Sequence, residues 1–148
     1  MVLSRAAIAA LIPHGGSMCL LEEVLSSDED GIVCRAVNHR DGNHPLREEG
    51  ILHAVCGIEY AAQAMAVHGA LTGRKAGGTR DRGGMLAAAR NVVFNVERLD
   101  DIADDLIVSA RKLVAEGAWL LYAFSLHAGG KELVRGRATV SLVAGEAA

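Results

Sequence analysis

His53-Ala54-Val55-Cys56-Gly57-Ile58-Glu59-Tyr60-Ala61-Ala62-Gln63-Ala64-Met65-Ala66-Val67-His68-Gly69-Ala70-Leu71-Thr72 holds no proline and is rich in alanine, so it reads as one long helix. At 100° per residue, Val55, Ile58, Ala62, Met65, Ala66 and Gly69 gather on one side. The opposite side, Gly57, Ala61, Ala64 and His68, is hardly polar. A helix that is apolar or small nearly all round is a buried helix. Something else in the chain has to wrap it.

The sequence that follows can do so. Met85 to Val96 is a valine-rich apolar run and Leu106 to Val114 is a further strand, followed by a turn at Glu116–Gly117. Leu120, Tyr122, Phe124 and Leu126 share a face, with Gly129–Gly130 as the next turn. Val134, Gly136, Ala138, Val140 and Leu142 alternate with Arg135, Arg137, Thr139 and Ser141, which is period-two patterning. These four segments succeed one another without a helix between them, so they are expected to form an antiparallel meander. Upstream, Ser4 caps a short helix to Leu11 that ends at Pro13. Cys19 to Leu25 and Ile32 to Val37 read as strands around a turn at Ser26–Gly31. The fold class is therefore α+β, with about six strands curled around one central helix.

With 148 residues, the chain has the length of one domain, 1–148. Hydrophobic residues make up 51%, yet 25 residues are alanine and only five are aromatic, so small and aliphatic side chains build the core. That composition excludes intrinsic disorder. A net charge of −3 argues against a nucleic-acid binder with a broad cationic face. Cys19, Cys34 and Cys56 form an odd set without C-x-x-C spacing, so they read as buried thiols of a cytoplasmic protein. No apolar stretch reaches the roughly 18 residues of a membrane span, and no membrane association is expected. Met1 to Ile12 does not read as a signal peptide.

Glu59 falls close to Ala66 on the apolar stripe, where a carboxylate costs several kcal/mol unless it is paired or protonated. It is a candidate site residue, or else a structural glutamate at a helix start. His44, stiffened by Pro45 in the irregular stretch Asn38–Gly50, is a candidate general base. His39, His44 and His53 are spaced by five and nine residues, which matches no usual metal-ligand pattern. No metal is expected. No P-loop, no G-x-G-x-x-G and no G-x-S-x-G is present.

Leu11-Ile12-Pro13-His14, then Met18-Cys19-Leu20-Leu21-Glu22-Glu23-Val24, resembles the opening of the β-hydroxyacyl-(acyl carrier protein) dehydratases. Gly57-Ile58-Glu59-Tyr60-Ala61-Ala62-Gln63-Ala64 is similar to that family's central-helix motif. The likeness runs over nearly the whole chain and is closest to a divergent branch found in aryl-polyene-type biosynthetic clusters. It implies a hotdog fold and a dimer in which one subunit gives a histidine and the other an acid. Carried onto this chain, the acid is Glu59, the supporting glutamine Gln63 and the histidine His44. The chain has Asn43-His44-Pro45-Leu46 where the family has G-H-F-P-G, and His44 stands fifteen rather than fourteen residues before the acid.

The resemblance implies dehydration of a β-hydroxyacyl thioester to the trans-2-enoyl thioester. The substrate rides on the phosphopantetheine of an acyl carrier protein, with no other cofactor. Two alternatives share the fold. One is an acyl thioesterase; the other is a non-catalytic subunit that binds acyl chains or partners an active dehydratase. A sheet this short leaves edges that favour pairing, so a homodimer, a multiple of it, or a heterodimer with another hotdog subunit is expected. Arg74, Lys75, Arg80 and Arg82 stand against a single Asp81 in the loop after the helix. They are the candidate docking residues for an acidic carrier protein.

Overall fold

The computed structural model describes residues 3–12, 18–75 and 84–142. Strand β1 (Leu3–Ser4) leads into helix α1 (Arg5–Leu11), whose Ser4 N-cap accepts from the Ala7 N–H at 3.3 Å. Strands β2 (Glu23–Ser27) and β3 (Gly31–Ala36) form a hairpin. The long helix α2 spans Gly57–Lys75, after a 3-10 turn at Ala54–Cys56. Strands β4 (Gly84–Phe94), β5 (Leu106–Glu116), β6 (Trp119–Ala128) and β7 (Lys131–Leu142) complete the chain.

All seven strands pair antiparallel in one sheet of order β1-β2-β3-β5-β6-β7-β4. The meander expected of four strands therefore holds for β5, β6 and β7 only. Strand β4 pairs with β7 at the far edge, and β5 pairs with β3 instead. The first expected strand also differs: Cys19–Leu21 lies outside β2 because side-chain hydrogen bonds from α2 hold that segment away from the ladder.

Helix α2 packs against β3, β4, β5 and β6, so the sheet wraps it as its composition predicts. The face laid on the sheet is Gly57, Ala61, Ala64 and His68, all buried with Tyr60 and Val67. Small residues decide this choice. A Cβ at Gly57 would come within 3.2 Å of Leu126 Cδ2 and 3.4 Å of Val134 Cγ2, so a larger residue would push the helix off β6 and β7. Ile58, Ala62 and Ala66 are half-buried on the other side, and Val55 is 57% exposed. Tyr122, Phe124 and Leu126 alternate inward from β6 to meet the helix, as their spacing predicts. Among the described residues, no helix is long and apolar enough to cross a membrane.

Candidate active site

The segment from Asn38 to His53 is irregular, yet it is held at several points. The Arg47 guanidinium donates to the Asp41 carbonyl at 2.9 Å and the Gly50 carbonyl at 2.7 Å. Asp100 accepts from the Leu52 N–H at 2.9 Å and pairs with Arg98 at 2.6 Å. That guanidinium and the Leu52 N–H hold the Asp100 carboxyl well below the usual carboxylate range. Backbone bonds Ala54 N–H to Glu97 O and Leu99 N–H to Leu52 O complete the clamp. The approach to α2 is thus tied to the segment leaving β4.

Glu59 lies in the first turn of α2 and is exposed in the single chain, on the side of the helix that the chain's own sheet leaves open. The stripe it shares with Ala62 and Ala66 is the side the sheet leaves uncovered. Beside it, burial and the charges of Glu59 and Glu48 push the half-buried Cys56 thiol up. His53 Nε2 is 3.9 Å from Glu48 Oε1. His53, Ala54 and Val55 line a cleft of about 450 Å³ with Phe94, Asn95, Val96 and Glu97. The uncovered start of α2 thus carries an acid, a thiol, a half-exposed imidazole and an apolar cleft.

His44 is placed otherwise. Its ring is buried, Nδ1 accepts from the Leu46 N–H at 3.1 Å, and Nε2 lies 2.9 Å from the Tyr60 hydroxyl. Tyr60 in turn donates to Asn38 Oδ1 at 2.7 Å. These directions place the imidazole proton on Nε2, donated to Tyr60 Oη. No lone pair of the His44 ring is then free to take a substrate proton. Gln63 is likewise occupied: Oε1 accepts from the Leu20 N–H at 2.8 Å and Nε2 donates to the Met18 carbonyl at 2.7 Å. Of the docking candidates, Arg80 and Arg82 lie outside the described residues, as do the side chains of Arg74 and Lys75.

Two further histidines work as structural ties. His68, fully buried on the packed face of α2, donates from Nε2 to the Asp28 carbonyl at 2.8 Å. Its Nδ1 accepts from the Tyr122 hydroxyl at 2.7 Å, so one ring joins α2, the β2–β3 turn and β6. A polar residue on a face otherwise made of glycine and alanine was the sequence signal for it. His39 shares its Nε2–H between the carbonyls of Ile102 and Asp104, each at 3.0 Å.

Burial is the first cause that lowers the proton affinity of His39, His44 and His68. The folded chain keeps them neutral, whereas the unfolded chain protonates them near pH 6.5. Stability is thus full above about pH 6.5 and falls as the pH drops, by up to about 1.4 kcal/mol per pH unit for each histidine. Asp28, Asp100 and Asp105, whose pKa values are depressed, add their loss only in the carboxylate range below. Melting curves between pH 7.5 and 5 should show a steadily falling Tm. A flat Tm over that range would contradict three neutral buried rings.

The family model described as ApeP dehydratase, of the ApeP-like family, matches residues 6–146. No curated protein sequence matches the chain. Among solved structures, the dehydratase heterocomplex ApeI:P from Xenorhabdus doucetiae aligns with a TM-score of 0.80 at 24% identity, over 91% of this chain and 90% of that one. Zebra fish thioesterase superfamily member 2 aligns with a TM-score of 0.65 at 17% identity, over 95% and 99% of the two chains. The E. coli PaaI protein from the phenylacetic acid degradation operon aligns with a TM-score of 0.59 at 14% identity, over 80% of each chain. Dehydratase and thioesterase neighbours alike share the antiparallel sheet around one long helix, which is the hotdog fold. With the family match spanning nearly the whole sequence, this chain belongs to the ApeP-like dehydratase family.

Proposed function

We propose that the chain takes part in dehydrating a β-hydroxyacyl thioester, carried on acyl carrier protein, to the trans-2-enoyl thioester, and that it does so beside a second hotdog subunit. One observation carries this reading. The chain presents its motif acid, Glu59, on an uncovered helix face, while its motif histidine has both ring nitrogens engaged. Two copies of this chain would bring two acids and two tied histidines. A second hotdog chain with a free histidine completes the pair. The name of the ApeI:P heterocomplex supports such a pairing. So does β4, an edge strand of 11 residues hydrogen-bonded only to β7 among the described strands.

The chemistry assigns each group a task. A neutral imidazole takes the C2 proton, and the C2–H electron pair becomes the C2–C3 double bond. Glu59, covered by the second subunit and protonated, gives its proton to the departing C3 hydroxyl, which leaves as water. Backbone N–H groups at the start of α2 polarise the thioester carbonyl. His44 performs the base step only if Nδ1, the ring nitrogen with the lone pair, is released from the Leu46 N–H. His53, half-exposed at the cleft, is the other histidine of this chain that is placed for it. Arg74 and Lys75, which fall in the last turn of α2 and not in a loop as expected, are with Arg80 and Arg82 a proposed docking element for the carrier.

The test is product analysis on a β-hydroxyacyl carrier protein, with the chain alone and with a second hotdog dehydratase subunit. Enoyl thioester formed faster with both chains than with either alone is the expected result. Release of free acid would make the pair a thioesterase. An unchanged rate on adding this chain would remove it from the reaction.

A further inference from the structure

Strand β4 falls out of step with its neighbour just before the candidate site. Arg90 stands opposite Arg137 of β7, yet Val93 stands opposite Arg135 and Phe94 opposite Val134. Three steps along β4 therefore span what two steps along β7 span, which is a β-bulge at Asn91–Val92. Asn91 sits at φ +53°, in the left-handed region that asparagine adopts more readily than other residues bearing a Cβ. Gly136 of β7 leaves the room: a Cβ there would come within 2.9 Å of Val92 Cγ2 and 3.1 Å of Val92 Cα. Two strands thus build this bulge, one by the backbone of Asn91 and the other by a missing side chain.

The bulge decides where Phe94 points. Along an unbroken strand, residues 90 and 94 share a face. Arg90 lies on the outer face with the exposed Arg137, and plain alternation would carry Phe94 there too. The extra residue reverses the alternation. Phe94 instead pairs with Val134, which is fully buried on the inner face. It stops short of the core: Phe94 is 43% exposed and lines the cleft that holds His53, Val55 and Val96. Beyond it the chain is fixed, since the Asn95 N–H donates to the Leu133 carbonyl at 2.8 Å and the Ala54 N–H to the Glu97 carbonyl at 3.0 Å.

We propose that Phe94 is the apolar wall on which the acyl chain of the substrate lies, and that Asn91 is a positioning residue acting through it, an inference that rests on the function proposed above. The substrate is polar at its thioester and β-hydroxyl and apolar beyond C3. Its apolar carbons gain by leaving water for Val55, Phe94 and Val96, in the same cleft as the half-exposed His53. A side chain of the second subunit filling that cleft would shut His53 off from any substrate.

Calorimetric titration of β-hydroxybutyryl and β-hydroxyoctanoyl pantetheine amides into the two-subunit assembly tests this. In these inert analogues a nitrogen replaces the thioester sulfur, so binding is read without turnover. Phe94→Ala should weaken the octanoyl analogue by about tenfold and the butyryl analogue by no more than about twofold, as expected of a lost apolar contact. Phe94→Leu should restore most of the difference. Deleting Asn91, which returns β4 to plain alternation, should give the pattern of Phe94→Ala, and Asn91→Gly, which keeps the left-handed backbone, should stay near wild type. Gly136→Ala disturbs the same bulge from β7 and should shift the preference in the same direction if the deletion does not fold. With the corresponding thioesters, the loss should appear in KM for the octanoyl substrate, with kcat held.

An unchanged chain-length preference in Phe94→Ala would overturn the proposal, as would an equal loss on both analogues. Dissociation of the assembly on sedimentation of Phe94→Ala would overturn it too, and assign Phe94 to the subunit contact. Wild-type preference in a folded Asn91 deletion, or in Gly136→Ala where that deletion does not fold, would remove Asn91 from the positioning role. Analogues that bind as expected to a wild-type assembly unable to dehydrate either thioester would instead sink the proposed function and leave the acyl cleft standing.

Discussion

Glu59→Gln should lower dehydration by the two-subunit assembly by about 10²- to 10⁴-fold, the range a positioned general acid supplies. The amide keeps the size and polarity of the side chain and removes the proton it would donate to the leaving hydroxyl. Because Glu59 is exposed in this chain, nothing in the fold of the chain depends on its charge. Its Tm should therefore stay close to wild type, as surface substitutions remain within about 0.5 kcal/mol. The assay is turnover of a β-hydroxyacyl carrier protein beside thermal melting of the same preparations. Turnover within about threefold of wild type would show that Glu59 is not the acid.

Gln63→Leu should act in the opposite way, on stability first. The Gln63 carboxamide is 2% exposed and spends both ends on the chain: it accepts from the Leu20 N–H and donates to the Met18 carbonyl. Leucine leaves the buried Leu20 N–H and the part-buried Met18 carbonyl without their partner. At about 1–3 kcal/mol for each unsatisfied group, the loss should total about 2–6 kcal/mol. Urea unfolding should show a lower midpoint with an unchanged slope. The resemblance had made Gln63 a support for the catalytic acid, and the same variant separates the two roles. If it only anchors Met18–Leu20, turnover per folded molecule, measured well below the Tm, should hold near wild type. A large loss of turnover with little loss of stability would place Gln63 at the substrate.

These two residues lie four positions apart on one helix and differ in what surrounds them. Their contrast bears on the shared-site reading as well. A hotdog chain whose acid is uncovered and whose histidine is tied has half of a catalytic pair to offer. Tyr60, Asn38 and the Leu46 N–H keep it so, since together they fix the direction of each hydrogen bond made by the His44 ring. The Glu-Tyr step of the motif, Glu59-Tyr60, thereby points an acid outward and a phenol inward from adjacent positions.

Local sequence determined the elements. The proline-free alanine run made α2, the alternation in β6 and β7 made strands with one inward face, Ser4 capped α1, and Gly117 and the Gly129–Gly130 pair made the turns of the meander. Each of these follows from forces between residues close along the chain. The motif around Glu59 likewise announced the family and its fold. Tertiary structure alone decided the rest. Strand β4 went to the far edge beside β7, because strand order depends on how the crossover from α2 and the segment after β4 pass the sheet, not on local pattern. Helix α2 turned Gly57, Ala61 and Ala64 inward and left Glu59 outside. A helix apolar nearly all round has no polar face to orient it, so close approach to Leu126 and Val134 made the choice. The roles of His44, Gln63 and His68 rest on partners 16, 43 and 54 residues away. A histidine or glutamine carries the same donors and acceptors whether it ties two strands together or meets a substrate, and only the folded chain decides which groups reach them.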